Sequence, residues 1–225
     1  MAATASFPKR PSGADRAGGR TGLALKRALD LVGASVLIVA FSPLLAVVAF
    51  AVRLDSRGPA VFRQRRVGFR GREFSMLKFR SMTVDASPDL HREYIAKLAK
   101  EHADHTDGTL LKLTEDPRLT RVGTVLRRTS IDELPQLFNV VAGQMSLVGP
   151  RPAVAYELQH YRPHHYERFA VRPGLTGLWQ VSGRANLGLQ EMLDLDVEYV
   201  RRRSFLLDLS LLIRTPKAVL DAFTA

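Results

Sequence analysis

The sequence predicts an α+β protein, with a long apolar helix followed by a small β-hairpin and a mostly helical domain. Three observations carry that expectation. The stretch from Leu31 to Val52 holds no charged side chain. Two short strand-like runs flank Gly68-Phe69-Arg70-Gly71, the pattern of a hairpin. Near the C-terminus, Phe205 to Thr215 is strongly apolar with scattered polar positions, which suits a helix packed on a core or lying in a membrane interface.

The 225 residues suffice for one ordinary domain plus an anchor and are too few for two full catalytic domains. With 46% hydrophobic residues, the chain is globular rather than disordered. A formal charge of +11 points to anionic partners: nucleic acid, phosphate-bearing substrates or an acidic phospholipid membrane. The absence of cysteine excludes disulfides, thiolate nucleophiles and Cys-based metal sites.

Residues 1–22 are rich in Ala, Gly, Ser, Thr, Pro and Arg and read as a disordered basic tail. Residues 23–53 form the membrane segment. Its apolar stretch of about 22 residues, at ~1.5 Å each, would match a bilayer core of ~30 Å, so a simple spanning helix is one reading. Two features favour a re-entrant helix instead. Ser42-Pro43 sits mid-stretch, where proline removes a backbone donor and predicts a kink or break. Both flanks are basic, with Lys26 and Arg27 before and Arg53, Arg57 and Arg63 after, whereas a spanning helix keeps its basic excess on one side. A signal peptide cleaved near Ala49-Phe50-Ala51 is a third reading, opposed by the length of the run and the arginines after it.

Beyond the membrane segment, residues 54–225 make up the main domain. Val61–Gln64 and Glu73–Arg80 are the expected strands, and Lys78 and Arg80 share a face that offers two cations to one phosphate. Residues 88–103 read as a polar helix. The acidic loop after it carries His102, Asp104, His105 and Asp107, which reads as a solvated loop more readily than as a metal site.

Arg127-Arg128-Thr129-Ser130-Ile131-Asp132-Glu133-Leu134-Pro135 joins adjacent carboxylates to cations and a proline. Ser130-x-x-Glu133 matches a capping box, a purely structural explanation. Pro135 weakens it, because proline belongs at the first helical position, which leaves Asp132 and Glu133 on the approach to a helix. Phosphoryl transfer gives the pair a use. One carboxylate can attack phosphorus to form an acyl phosphate, and a second can hold Mg²⁺. Downstream, Gly149-Pro150-Arg151-Pro152 fixes an arginine between prolines, and Pro173-Gly174-Leu175-Thr176-Gly177 has the composition of an anion-binding loop.

Lys26-Arg27-x-x-Asp30, Lys78-Phe79-Arg80, Thr129-Ser130-x-Asp132-Glu133-x-Pro135-Gln136, Gly149-Pro150-Arg151-Pro152 and Pro173-Gly174-x-Thr176-Gly177 together resemble the bacterial sugar transferase family. Its members are monotopic polyprenyl-phosphate phosphoglycosyl transferases, and the resemblance covers roughly residues 24–222. It implies a two-step reaction. The aspartate matching Asp132 attacks a UDP-sugar, expels UMP and carries the phosphosugar, which undecaprenyl phosphate then accepts. It further implies that Glu133 helps hold Mg²⁺, and that Arg127 and Arg151 contact phosphates. Lys78 and Arg80 are assigned to phosphate as well. Arg184 resembles a uridine-nucleotide position, and Gly174, Thr176 and Gly177 are grouped with it. The Ser42-Pro43 break matches the family's re-entrant helix. The chain looks like the compact form without the extra multi-span N-terminal domain of longer members, its catalytic domain on the cytoplasmic face of the inner membrane. A homo-oligomer is left open. No nucleic-acid motif is present, and neither a basic nucleic-acid module nor an idle scaffold explains the intact carboxylate pair. The run His160 to Tyr166 has no role that the resemblance supplies.

Overall fold

The structure, a computed structural model, describes residues 20–83, 118–182 and 187–224, together with Phe7, Asp89, Arg92, Glu93, Ile95 and Ala96. Most of the expected tail at 1–22, most of the expected helix at 88–103, and the His102, Asp104, His105 and Asp107 loop lie outside the described residues.

Helix α1, Arg20–Asp55, runs 36 residues, about 54 Å at ~1.5 Å per residue. The sequence places a kink or break at Ser42-Pro43, and helical structure continues through both. The reason is local. Proline at 43 has no N–H for the Val39 carbonyl four residues back, and the Ser42 hydroxyl donates to that same oxygen at 2.8 Å. The serine thus supplies the hydrogen bond that the proline removes.

α1 is apolar on two faces. Asp30, Ala34, Val48 and Val52 are buried against the rest of the chain, with Leu37, Ile38, Leu44 and Leu45 packed beside them at helical spacing. Val32, Val36, Val39, Val47, Phe50 and Leu54 point outward and are exposed. A helix on a water-covered surface would be polar there, so this outer face suits lipid.

Strands β1, Val61–Val67, and β2, Glu73–Phe79, form the antiparallel hairpin, in register from Val61 opposite Phe79 to Val67 opposite Glu73. Gly71, at φ +73°, closes the turn in the left-handed region. Helix α2, Arg121–Thr129, starts on Thr120, whose hydroxyl accepts the Gly123 N–H, and ends at Ser130 in the left-handed conformation. A short 3₁₀ turn, Ile131–Glu133, leads to α3, Gln136–Val141.

Strand β3, Ser146–Val148, pairs in parallel with β4, Gly174–Thr176. The two approach so closely that a Cβ on Gly174 would lie 2.1 Å from the Gly149 nitrogen. Helices α4, Leu178–Ser182, α5, Leu189–Arg202, and α6, Phe205–Thr224, complete the fold. The main core gathers Ala34 of α1, Met76 of β2, Leu137 and Val140 of α3, Leu147 and Val148 of β3, Tyr199 and Val200 of α5, and Leu211 of α6. On α6, Leu206 and Ile213 remain exposed beside this core. Arg201 and Arg202 meet Glu167 at 2.7 Å and Glu198 at 2.5 Å.

Charged groups fix α1 to this core. Asp30 Oδ1 accepts from Lys26 Nζ, the Ser146 hydroxyl and the Leu147 N–H, each at 3.0 Å. Lys26 also meets Asp208 of α6 at 3.1 Å. Arg27 donates to the Val140 and Val141 carbonyls at the end of α3. At the other end of α1, the Asp55 carboxylate accepts the Val122 N–H at 3.0 Å, and Arg80 donates to the Val52 and Ser56 carbonyls. Removing this carboxylate leaves the Leu147 N–H unpaired and takes from Lys26 and the Ser146 hydroxyl one of two partners each, Asp208 and the Val148 carbonyl remaining. Asp30→Ala should therefore cost about 3 kcal/mol of stability in detergent micelles, and Asp30→Asn, which keeps an acceptor, clearly less. Thermal or denaturant unfolding reads the difference, and equal stabilities of the two variants would deny the carboxylate this structural role.

Candidate active site

The carboxylate pair lies where α2 stops. Ser130, at φ 58°, turns the chain out of α2 and makes no capping bond with its side chain, so the capping-box explanation is not what the pair does. Asp132 and Glu133 sit in the 3₁₀ turn, and Pro135 stands immediately before α3, at φ −60°.

Asp132 is buried, 7% exposed. Burial raises its pKa above the ordinary carboxylate range; Lys78 opposes the rise and the neighbouring Glu133 adds to it. For Glu133, burial again works upward, but Lys78 and then Arg151 overcome it and hold the group well below its usual range. Lys78 Nζ donates to Glu133 Oε1 at 2.9 Å and stands 4.0 Å from Asp132 Oδ2. Neighbouring carboxylates are thus driven apart, one toward ready protonation and one firmly ionised.

Lys78 reaches the pair because α3 holds β2 in place. The buried Asn139 side chain behaves like a short extra strand: its Oδ1 accepts the Leu77 N–H at 2.9 Å and its Nδ2 donates to the Ser75 carbonyl at 2.8 Å. A second Nδ2 bond, to Gln144 at 2.7 Å, fixes the amide's orientation. The residue after Leu77 is then set against the turn that precedes α3. Lys78, Glu133, Gln136, Arg151, Gly174 and Gln180 line one cleft. Arg127 and Arg151 both lower the pKa of Asp132, which sets their positive charge toward the same point. The arrangement offers a withdrawn carboxylate, an ionised carboxylate and several cations, the equipment for handling a phosphate group.

A family model described as bacterial sugar transferase matches residues 21–222. The chain belongs to that family. It is 40% identical over 218 residues to the exopolysaccharide production protein ExoY of Sinorhizobium fredii, covering 97% of this chain and 94% of that protein. It is 41% identical over 196 residues to the undecaprenyl-phosphate galactose phosphotransferase of Salmonella typhimurium, covering 87% of this chain and 40% of the relative. The UDP-glucose:undecaprenyl-phosphate glucose-1-phosphate transferase of Xanthomonas campestris is 39% identical over 204 residues, covering 87% and 39%. The chain therefore spans about two fifths of the length of several curated relatives and nearly all of another.

In this sugar transferase, the residues expected at the site fall into two groups. Asp132, Glu133, Lys78 and Arg151 converge, with Arg127 close enough to act on Asp132. Arg80 has another occupation, since its Nη2 donates to the Val52 and Ser56 carbonyls and the Ser56 hydroxyl at the end of α1. Thr176 is buried and its hydroxyl pairs with that of Thr215 on α6 at 2.9 Å. A Cβ on Gly177 would lie 2.5 Å from the Gly149 carbonyl oxygen, so this glycine serves the close approach of the two loops. Gly174 does the same at the floor of the cleft. Arg184 lies outside the described residues.

Asn139 and Arg66 carried no sequence signal of their own. The histidine run also acquires a place. His164 and His165 both lie within 2.9 Å of Asp194 Oδ1 on α5, and the Arg162 N–H donates to His165 Nδ1, so the proton of neutral His165 sits on Nε2 and points at Asp194. That tautomer ties the 163–170 turn to α5 and leaves no lone pair at Nε2 for a metal.

Lys78 holds one carboxylate ionised beside another that is desolvated. Lys78→Met should lower catalytic turnover by about 100-fold or more with little loss of thermal stability, while Lys78→Arg should keep a measurable fraction. Near-normal turnover of Lys78→Met, measured on the purified membrane protein, would remove this cation from the working site.

Proposed function

We propose that this chain moves a hexose-1-phosphate from a UDP-sugar to undecaprenyl phosphate and releases UMP, as a membrane step of exopolysaccharide synthesis. The observation that carries the reading is buried Asp132 beside Glu133 and Lys78, which line one cleft together with Arg151. The names of the Salmonella and Xanthomonas relatives, which specify undecaprenyl phosphate and galactose or glucose, support the substrate class.

Asp132 is the nucleophile in this reading. Withdrawal from water leaves its carboxylate poorly solvated and more reactive once ionised. An Asp132 oxygen attacks the sugar-linked phosphorus, the new O–P bond forms, and the P–O bond to UMP breaks with its electron pair leaving on UMP. Lys78, Arg127 and Arg151 bear the negative charge that gathers on the phosphoryl oxygens. An oxygen of undecaprenyl phosphate then attacks the same phosphorus from the side UMP has vacated. The bond to Asp132 breaks and its carboxylate is restored, so the charges and bonds of the two steps balance.

The donor set fits Mg²⁺. Both carboxylates offer hard oxygen ligands, and the hydrogen bond from Lys78 occupies Oε1 of Glu133. Glu133 would hold the ion, which when bound supplies charge neutralisation to the diphosphate. Glu133→Gln or excess EDTA should each reduce turnover by orders of magnitude.

The membrane reading is a helix whose two ends face the cytoplasm. It is supported by the attachment of both ends of α1 to one domain, at Lys26, Arg27 and Asp30 and again at Asp55 and Ser56. Because the chain lacks cysteine, Arg20→Cys and Ala60→Cys give clean single probes in intact cells. Neither should react with an impermeant thiol reagent, and labelling of only one would establish a spanning helix.

The mechanism is tested without acceptor. Enzyme with UDP-glucose or UDP-galactose should release UMP in a burst no larger than the enzyme concentration and gain one sugar phosphate on the peptide that contains Asp132. Asp132→Asn should abolish both. An adduct on Glu133 or a histidine, or normal turnover by Asp132→Asn, overturns the assignment.

A further inference from the structure

The peptide that carries Arg151 is held by two buried guanidiniums from different parts of the fold. Arg66, on β1, donates from Nη1 to the Pro152 carbonyl at 3.0 Å, and from Nε and Nη2 to Gln64 Oε1 at 3.1 and 2.8 Å. Arg168, in the 163–170 turn, donates from Nη2 to the Arg151 carbonyl at 2.6 Å and to Asp196 of α5 at 2.5 Å. Its Nη1 donates to the Tyr161 hydroxyl oxygen. One residue further, Val67 and Ala153 exchange backbone hydrogen bonds of 2.8 and 3.2 Å.

A buried guanidinium is costly unless its charge and donors are answered. Arg168 is answered by Asp196. Arg66 has no carboxylate within ion-pairing distance among the described residues, only neutral acceptors. Burial, and then the charge of Arg151, push its pKa down to about 10. An apolar side chain of similar volume would fill this place at lower cost, so packing alone does not account for an arginine here. What Arg66 and Arg168 share is their target, the consecutive carbonyls of Arg151 and Pro152. Beyond that peptide, the Arg151 guanidinium carbon lies 5.9 Å from the Trp179 ring centre, and its charge acts on Glu133.

We propose that Arg66 and Arg168 are positioning residues for Arg151: they hold the consecutive carbonyls of Arg151 and Pro152 and so keep the Arg151 side chain at the cleft that it shares with Lys78 and Glu133. This deepens the phosphate-handling role given to Arg151 above and rests on it.

A double-mutant cycle on the full chain in detergent micelles tests the dependence on Arg151. It is read as UMP release from UDP-glucose or UDP-galactose, whichever the wild type uses faster. Arg66→Met should lower kcat/KM by about 30-fold, mostly through kcat, and by less than about threefold when Arg151 is already alanine. An equal fold-loss in both backgrounds overturns the proposal. Arg66→Lys keeps the charge but lacks the rigid guanidinium fork that joins Gln64 to Pro152, so it should fall nearly as far, and full activity in that variant would also overturn it. A second measurement needs no substrate. In Arg66→Lys and Arg168→Lys, the amides of Arg151 and Ala153 should exchange hydrogen about tenfold faster while those of α5 are unchanged. Unaltered exchange refutes the grip. A wild type that releases no UMP from any UDP-sugar refutes the proposed function instead, and the exchange result still judges the grip.

Discussion

Two carboxylates on adjacent residues, one of them almost wholly withdrawn from water, cannot both be ionised unless positive charge stands close by. Much of the architecture around the cleft answers that constraint. Lys78 comes from β2, Arg127 from the last turn of α2, and Arg151 from the loop after β3. No one of these elements places its cation alone. β2 is laid against α3 by the Asn139 amide, α2 is stopped at Ser130 by a left-handed residue, and the loop after β3 is tied to β1 and to the 163–170 turn. The charges come from distant parts of the chain, and the fold is what makes their meeting inexpensive.

The same logic joins the membrane helix to the site. Asp30, on α1, accepts the Leu147 N–H and the Ser146 hydroxyl, so the membrane helix bonds directly to β3. Tyr199 of α5 places its hydroxyl 2.7 Å from Asp208 and 3.1 Å from the Val148 carbonyl, and Asp208 in turn meets Lys26. A three-residue strand has few backbone bonds of its own. β3 persists because β4, α1 and α5 each hold it, and the Gly149–Pro152 loop leaves from its end.

Sequence reading recovered what depends on local pattern. The apolar run marked α1, the Gly68–Gly71 turn marked the hairpin, and Pro135 placed Asp132 and Glu133 on the approach to a helix. It recovered less where one residue acts across a long stretch of chain. Asn139 lies 62 residues from the strand amide that it accepts, and Arg66 lies 86 residues from the carbonyl that it holds. Neither has a neighbour in sequence that betrays its partner. Arg80 illustrates the converse. Its spacing from Lys78 suggested a shared phosphate, but Arg80 lies just past the end of β2, and the Val52 and Ser56 carbonyls at the end of α1 claim its Nη2. A cation near a site by alternation belongs to whichever acceptor is closer in space.

Ser42-Pro43 shows how a local signal can be read correctly for its chemistry and still leave the geometry open. Proline does remove a donor, and the orphaned Val39 carbonyl is the consequence that any reading must settle. In water that carbonyl could be left to solvent. On a face as apolar as that of Val36, Val39 and Val47, no solvent partner suits it, and a hydroxyl one residue before the proline is the nearest donor that can reach back. The serine therefore accounts for helical structure running through the proline. α1 can then present an apolar outer face while its inner face carries the charged contacts that hold β3, α3 and α6.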